Sequence, residues 1–115
     1  IFTKPQTIVL SAASVSGPQW RNVYRLSEEQ LQRLEEAENL MEMLDINNAE
    51  SILLELLEGD SDCVPVLNNL GHMYGRYLSE WRKAIEYYER VLQIEPDNAW
   101  ARDERRKYQR RLTYD

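Results

Sequence analysis

The side chains able to do chemistry are few and far apart. Among 115 residues His72 is the single histidine and Cys63 the single cysteine, so no relay of nucleophile, base and orienting acid can be built on them. The same counts exclude an internal disulfide and a zinc site made from Cys and His, and they are compatible with a reducing compartment. The serines fall in the N-terminal segment or at helix starts, where hydrogen bonding to the backbone accounts for them. The many carboxylates lie on helix faces with partners one turn away, such as Glu86 with Arg90. LGHMYG, residues 70–75, lacks the Gly-Lys-Ser/Thr ending of a phosphate loop and sits within a helical pattern. The chain therefore reads as a non-enzyme, with no catalytic residue, metal ligand or cofactor assigned. RDERRKYQRR, residues 102–111, is the only stretch suited to nucleic acid. Basic residues equally suit the solvated side and C-terminal end of a last helix, and nucleic acid ranks third among the functional readings.

The elements that must position these residues are helices. Composition is 43% hydrophobic and 30% charged, and no apolar run approaches the roughly 20 residues of a membrane helix, so a soluble, intracellular chain is expected. RLSEEQL contains a capping box, Ser27 with Gln30, flanked by Leu26 and Leu31 as a hydrophobic staple. A first helix from Glu28 to about Asp45 carries Leu31, Leu34, Ala37, Met41 and Leu44 at spacings of three and four, with Leu40 widening the stripe. A second starts near Asn48, presents Ala49, Ile52, Leu53, Leu56 and Leu57, and meets a glycine stop at Gly59. A third runs from about Cys63 to Leu78 with Pro65 in its first turn. A fourth, opened by Ser79, carries Trp81, Ala84, Ile85, Tyr88, Val91 and Leu92. The fifth is capped by Asp97 or Asn98 and keeps only Ala101, Tyr108 and Leu112 as a thin apolar stripe.

Charge is distributed in blocks. Residues 1–25 carry three bases and no acid; residues 26–62 carry twelve acids against Arg33; the stretch from Ala99 carries six bases against three acids. The formal charge of −6 thus conceals an acidic block between two basic ends. Solvated helix faces explain most of this, and a basic partner, or the chain's own basic arm, is the sharper alternative.

The helices also repeat. Ala37 and Leu40 recur 34 residues later as Gly71 and Tyr74, whereas Ala49, Leu53, Leu56 and Ser61 recur 35 residues later as Ala84, Tyr88, Val91 and Pro96. The extra residue is expected in the turn around GRYLSE. In the second unit Leu67, Leu70, Gly71 and Tyr74, then Ala84, Tyr88 and Pro96, follow the pattern W-x2-L-G-x2-Y, A-x3-F, P, with Leu67 in the tryptophan's place. This unit resembles a tetratricopeptide repeat. The resemblance implies an all-α superhelix of two antiparallel helical hairpins, residues 26–61 (degenerate) and 62–96 (clear), with a capping helix over 97–112 inside a domain of residues 26–115. It says nothing about residues 1–25. It explains Gly71 as the small residue that lets two helices approach; Gly75 reads as a loosening before the turn, or else as room for a ligand backbone.

First helices of such hairpins line a groove, and the resemblance makes Leu34, Glu38, Met41, Asn68, Asn69, His72, Arg76, Trp100 and Lys107 the expected partner-binding residues, with Asp103 beside them. Asn68 and Asn69 would hold a peptide backbone, His72 and Arg76 would add hydrogen bonds and positive charge, and Met41 and Trp100 would give apolar contact. Stacking on the preceding hairpin is the plainer role for Trp100. The partner implied is another protein or peptide, and the function a protein-interaction adaptor or assembly factor; a structural subunit of a larger complex is the alternative. Some members of the family grip a chaperone's C-terminal carboxylate. Only Asn69 matches that set, and Leu34, Glu38, Trp100 and Glu104 fill the other positions, so this partner is disfavoured.

Residues 1–25 are read as an extended arm. Starting at Ile1 rather than Met, they are expected to belong to a processed or partial chain; TIVLSAASV is too brief, and its flank too weakly basic, for a signal-peptide core. Thr, Ile and Val favour extended backbone, and Gly17-Pro18 interrupts any helix. The arm is expected to pack on its own repeats, Trp20 and Tyr24 against the first hairpin, or on a partner as an added strand. Deletion of residues 1–25 should lower the melting temperature and increase binding of an apolar dye; an unchanged melt would mean a free arm.

Overall fold

A computed structural model describes residues 24–114. Most of the arm, Trp20 included, lies outside the described residues. The described chain is a succession of helices: α1 (Glu28–Glu42), α2 (Ile46–Gly59), α3 (Val64–His72) continued by a π-helical turn (Met73–Tyr77), α4 (Trp81–Ile94) and α5 (Ala99–Tyr114). Consecutive helices pack on one another, α1 with α2, α2 with α3, α3 with α4 and α4 with α5.

Local sequence sets most boundaries. The capping box forms as read: Ser27 Oγ accepts the Gln30 amide at 3.1 Å, and Gln30 Oε1 accepts the Ser27 amide at 2.8 Å. Asn98 Oδ1 caps α5 by accepting the Ala101 amide at 2.9 Å. Three expectations need correction. α2 begins at Ile46, two residues early. Gly59 ends α2 without a left-handed conformation, since no described glycine has positive φ. Ser79 does not cap α4; it lies in the left-handed region at φ 53°, as Leu44 does at φ 64°.

Leu44 and Ser79 are 35 residues apart, so the turns after α1 and after the π-helical turn each place a left-handed residue at the same register position. The extra residue therefore falls between Tyr74 and Ser79, within the expected GRYLSE stretch, but as a widened helical turn. It lies inside the third helix, where the Leu78 amide reaches back five residues to Met73 O and the Glu80 amide six to Tyr74 O. A π-helical turn is how a helix absorbs one added residue without breaking.

The core holds Leu34, Ala37 and Met41 of α1, Ala49, Ile52 and Leu53 of α2, Val66, Leu67, Leu70 and Gly71 of α3, Tyr74 and Gly75 beyond it, and Ala84, Tyr88, Val91, Ala101 and Tyr108. Each fully buried leucine contributes about 1.5–3 kcal/mol. Two glycines decide how closely three elements approach. A Cβ at Gly71 would stand 2.7 Å from the Tyr88 ring, and one at Gly75 would stand 2.7 Å from the Tyr108 hydroxyl and closer still to its ring. Those rings stack, 6.4 Å between centroids and 9° from parallel. Gly75 lies in the widened, π-helical end of the third helix, and the space beside it is not open to a ligand, because Tyr108 of the same chain fills it. Gly71→Leu should cost several kcal/mol through overpacking, and Gly75→Ala about 1–3 kcal/mol despite alanine's better helix propensity. Chemical melts of Gly75→Ala, Tyr108→Leu and the double variant should reveal strong coupling; additive losses would mean that the two residues do not touch.

Candidate functional site

Side chains of the odd-numbered helices meet in a polar seam. Asn69 Nδ2 donates to Glu38 Oε2 at 3.0 Å, joining α3 to α1, and to Pro65 O at 3.1 Å. Half-buried His72 meets Tyr77 edge-on at 5.7 Å and lies within electrostatic reach of Arg76 and of Glu104 and Lys107 on α5. Lys107 Nζ pairs with Glu104 Oε1 at 3.1 Å and lies 4.9 Å over the Tyr108 ring. The second set of interhelical bonds joins Tyr74 to α2, its hydroxyl donating to Glu50, while its ring stacks on Tyr87 of α4.

Several expected groove residues are placed differently. Leu34 and Met41 are buried with Ala37, which shares their stripe, and present no groove surface. Asn69 is nearly buried and already bonded within the chain, so its amide is not free for a peptide or a carboxylate. Asn68 is half-buried, its Oδ1 enclosed with no hydrogen-bond partner among the described residues. Arg76, Lys107 and Trp100, the last 53% exposed, remain on the surface, and Asp103 pairs with Arg102 at 3.6 Å. Arg90 donates to Ser61 O rather than bridging to Glu86.

Open clefts flank the helices, two of them lined by described residues. One, of about 440 Å³, is lined by Arg33, Glu36, Leu40, Asn48, Ser51, Ile52 and Glu55. Arg33 spans it, pairing with Glu36 at 2.7 Å and Glu55 at 2.9 Å. The other, of about 350 Å³, is lined by Trp81 at the start of α4 and by Lys107, Arg110, Arg111 and Tyr114 near the end of α5. The Arg111 guanidinium lies 5.8 Å from the Trp81 ring centroid. The basic run of α5 was legible, but its convergence on Trp81 was not: that depends on the end of α5 lying beside the start of α4.

Tyr24 docks at the far end of α4, its hydroxyl donating to Glu95 Oε1 at 3.0 Å. The hydroxyl's partner thus lies just past α4, while the ring packs against the core. Burial, then the Glu95 hydrogen bond, raises the phenol's pKa; burial also pushes the Cys63 thiol up, away from nucleophilic use. Among the described residues, no three His, Cys, Asp or Glu side chains are grouped to hold a metal ion.

His72 titrates below its ordinary 6.5, chiefly because burial disfavours the imidazolium, with Lys107 and Arg76 adding repulsion that Glu104 partly offsets. A folded-state pKa below the unfolded one means that the unfolded chain binds the proton first. The contribution to stability is thus complete above 6.5 and is lost as pH falls through 6.5 toward the folded value. Proton NMR should show the single imidazole titrating below 6.5, and His72→Gln should lose less melting temperature than the intact chain between about pH 7.5 and pH 5.5; equal losses would mean a solvated imidazole. In comparisons with known proteins, no family model, curated protein or solved structure matches this chain.

Proposed function

We propose that this chain is a non-enzymatic protein-interaction module, an adaptor or assembly factor, built of two tetratricopeptide-like hairpins and a capping helix. The observation that carries the reading is the seam of odd-numbered helices: Glu38 of α1 bonds Asn69 of α3, and His72 of α3 neighbours Glu104 and Lys107 of α5. Stacked hairpins bring alternate helices side by side in this way. The equivalent turns at Leu44 and Ser79, 35 residues apart, support the same repeat.

The binding face in this reading is the outer edge of the seam, where Arg76 and Trp100 are exposed, flanked by Lys107. Leu34, Met41 and Asn69 support it from within. A structural-subunit role is the second reading, favoured by Met43 and Leu44, which are adjacent in one turn and 71% and 70% exposed.

Affinity capture with the intact chain, quantified by mass spectrometry against an Arg76→Glu/Trp100→Ala variant of unchanged helicity, tests the proposal. Captured proteins should bind the variant at least about tenfold more weakly in calorimetry, since exposed Trp and Arg are the commonest interface anchors. Undiminished affinity would move the site off this face. If the chain captures only a stable multiprotein assembly and aggregates alone, it is a subunit.

A further inference from the structure

We infer that the cleft between the end of α5 and the start of α4 binds an acidic peptide segment of a partner protein, an inference that rests on the reading of this chain as a polypeptide-binding module. Lys107, Arg110 and Arg111 stand at i, i+3 and i+4, so α5 directs all three toward one side. Trp81 and Tyr114 complete the lining, which holds no acidic side chain among the described residues. Glu104 answers Lys107, and Glu80, next to Trp81, pairs with Lys83 at 3.7 Å. Arg110 and Arg111 have no carboxylate partner among the described residues.

This set suits carboxylates. A guanidinium offers a planar fork that accepts both carboxylate oxygens, and the Trp81 ring beneath Arg111 restrains that fork before a ligand arrives, reducing the ordering cost of binding. The aromatic walls would cover the apolar stem of an Asp or Glu, or a neighbouring apolar side chain.

Charge selects among possible occupants. Residues 1–23 carry Lys4 and Arg21 and no acid, so the chain's own arm would be repelled. Nucleic acid presents a charge about every 1.7 Å and needs an extended basic track, whereas here three cations fill one cleft of a molecule with formal charge −6. A second copy would present its acidic block on the faces of α1 and α2, where Arg33 already holds Glu36 and Glu55, rather than as an extended segment able to enter a cleft. A short acidic peptide matches the cleft in both charge and size.

The test is fluorescence anisotropy of the intact chain with a labelled Asp/Glu/Gly peptide and with a twin in which Lys replaces every acid. The acidic peptide should bind, the basic twin should not, and affinity should fall as salt rises. Arg110→Glu/Arg111→Glu should weaken binding at least about tenfold, while Arg25→Glu/Arg102→Glu, with the same change in net charge and both residues outside the cleft lining, should alter it less than about threefold. Circular dichroism verifies that each variant is folded. Equal losses in the two variants would reduce the effect to overall charge and overturn the proposal. So would an oligonucleotide that binds more tightly and displaces the peptide, absence of any binding, or concentration-dependent self-association in sedimentation that Arg110→Glu/Arg111→Glu abolishes while the peptide stays unbound. Failure here with partner capture still sensitive to Arg76→Glu/Trp100→Ala would remove this cleft alone; loss of both would remove the module.

Discussion

Two tyrosine rings lying against two glycines set the geometry from which the second half of the molecule follows. Gly71 admits Tyr88 from α4 and Gly75 admits Tyr108 from α5, and because the two rings stack, neither can shift without the other. A Cβ at either glycine would press on a buried ring in an interior packed as tightly as a crystal, where displacement has nowhere to go. The opposing cost is glycine's greater backbone freedom in the unfolded chain, roughly 1 kcal/mol at each position. Tight packing of two aromatic side chains exceeds that cost. Fixing Tyr108 also fixes the rotation of α5, and with it the direction in which Lys107, Arg110 and Arg111 project. The basic cleft is therefore a consequence of glycines on another helix.

The π-helical turn belongs to the same arrangement. Gly75 lies within Met73–Tyr77, where one additional residue is accommodated, while Gly71 lies in the regular helix before it. The turn that follows places Ser79 in the left-handed region, as Leu44 is after α1. The insertion changes how α3 meets its neighbours but leaves the connection to α4 alone. Tyr74, in the same segment, sends its hydroxyl to Glu50 and stacks its ring on Tyr87, so the altered stretch contacts α2, α4 and α5 together.

What the sequence disclosed, and what it withheld, follows from the range of the interactions. Ser27 with Gln30 and Asn98 with Ala101 act across three residues, and their chemistry is written in adjacent side chains. Gly71 was legible through the resemblance to a tetratricopeptide repeat, which implies a small residue where two helices approach. The stretch holding the inserted residue was legible but its conformation was not, since a shift from 34 to 35 between two marks is satisfied equally by a longer turn or a wider helix turn. Leu34 and Met41 were assigned both to an apolar stripe and to a groove, yet a side chain on the stripe of Ala37 cannot also face outward; burial chose the stripe. Asn69 looked like an open amide, but its partner Glu38 is 31 residues distant, beyond any local pattern. The Trp81 cleft and the Tyr24–Glu95 contact have the same character: both join residues from separate elements.

Separation of charge gives the molecule two ends with different prospects. Twelve acids crowd residues 26–62, and six bases fall after Ala99, in a body 51 Å in its longest dimension. Exposed charges farther apart than a Debye length, about 8 Å at physiological ionic strength, hardly feel one another. The ion pairs that form among the described residues are local: Arg33 with Glu36 and Glu55, Lys83 with Glu80, Arg102 with Asp103, Lys107 with Glu104. Such surface pairs add little stability. Their distribution matters more than their strength, because they leave Arg110 and Arg111 without a carboxylate partner among the described residues, beside an aromatic surface. Desolvating a charge that already has a partner would require breaking that pair; these two carry no such penalty, so an incoming carboxylate meets cations whose main competitor is water.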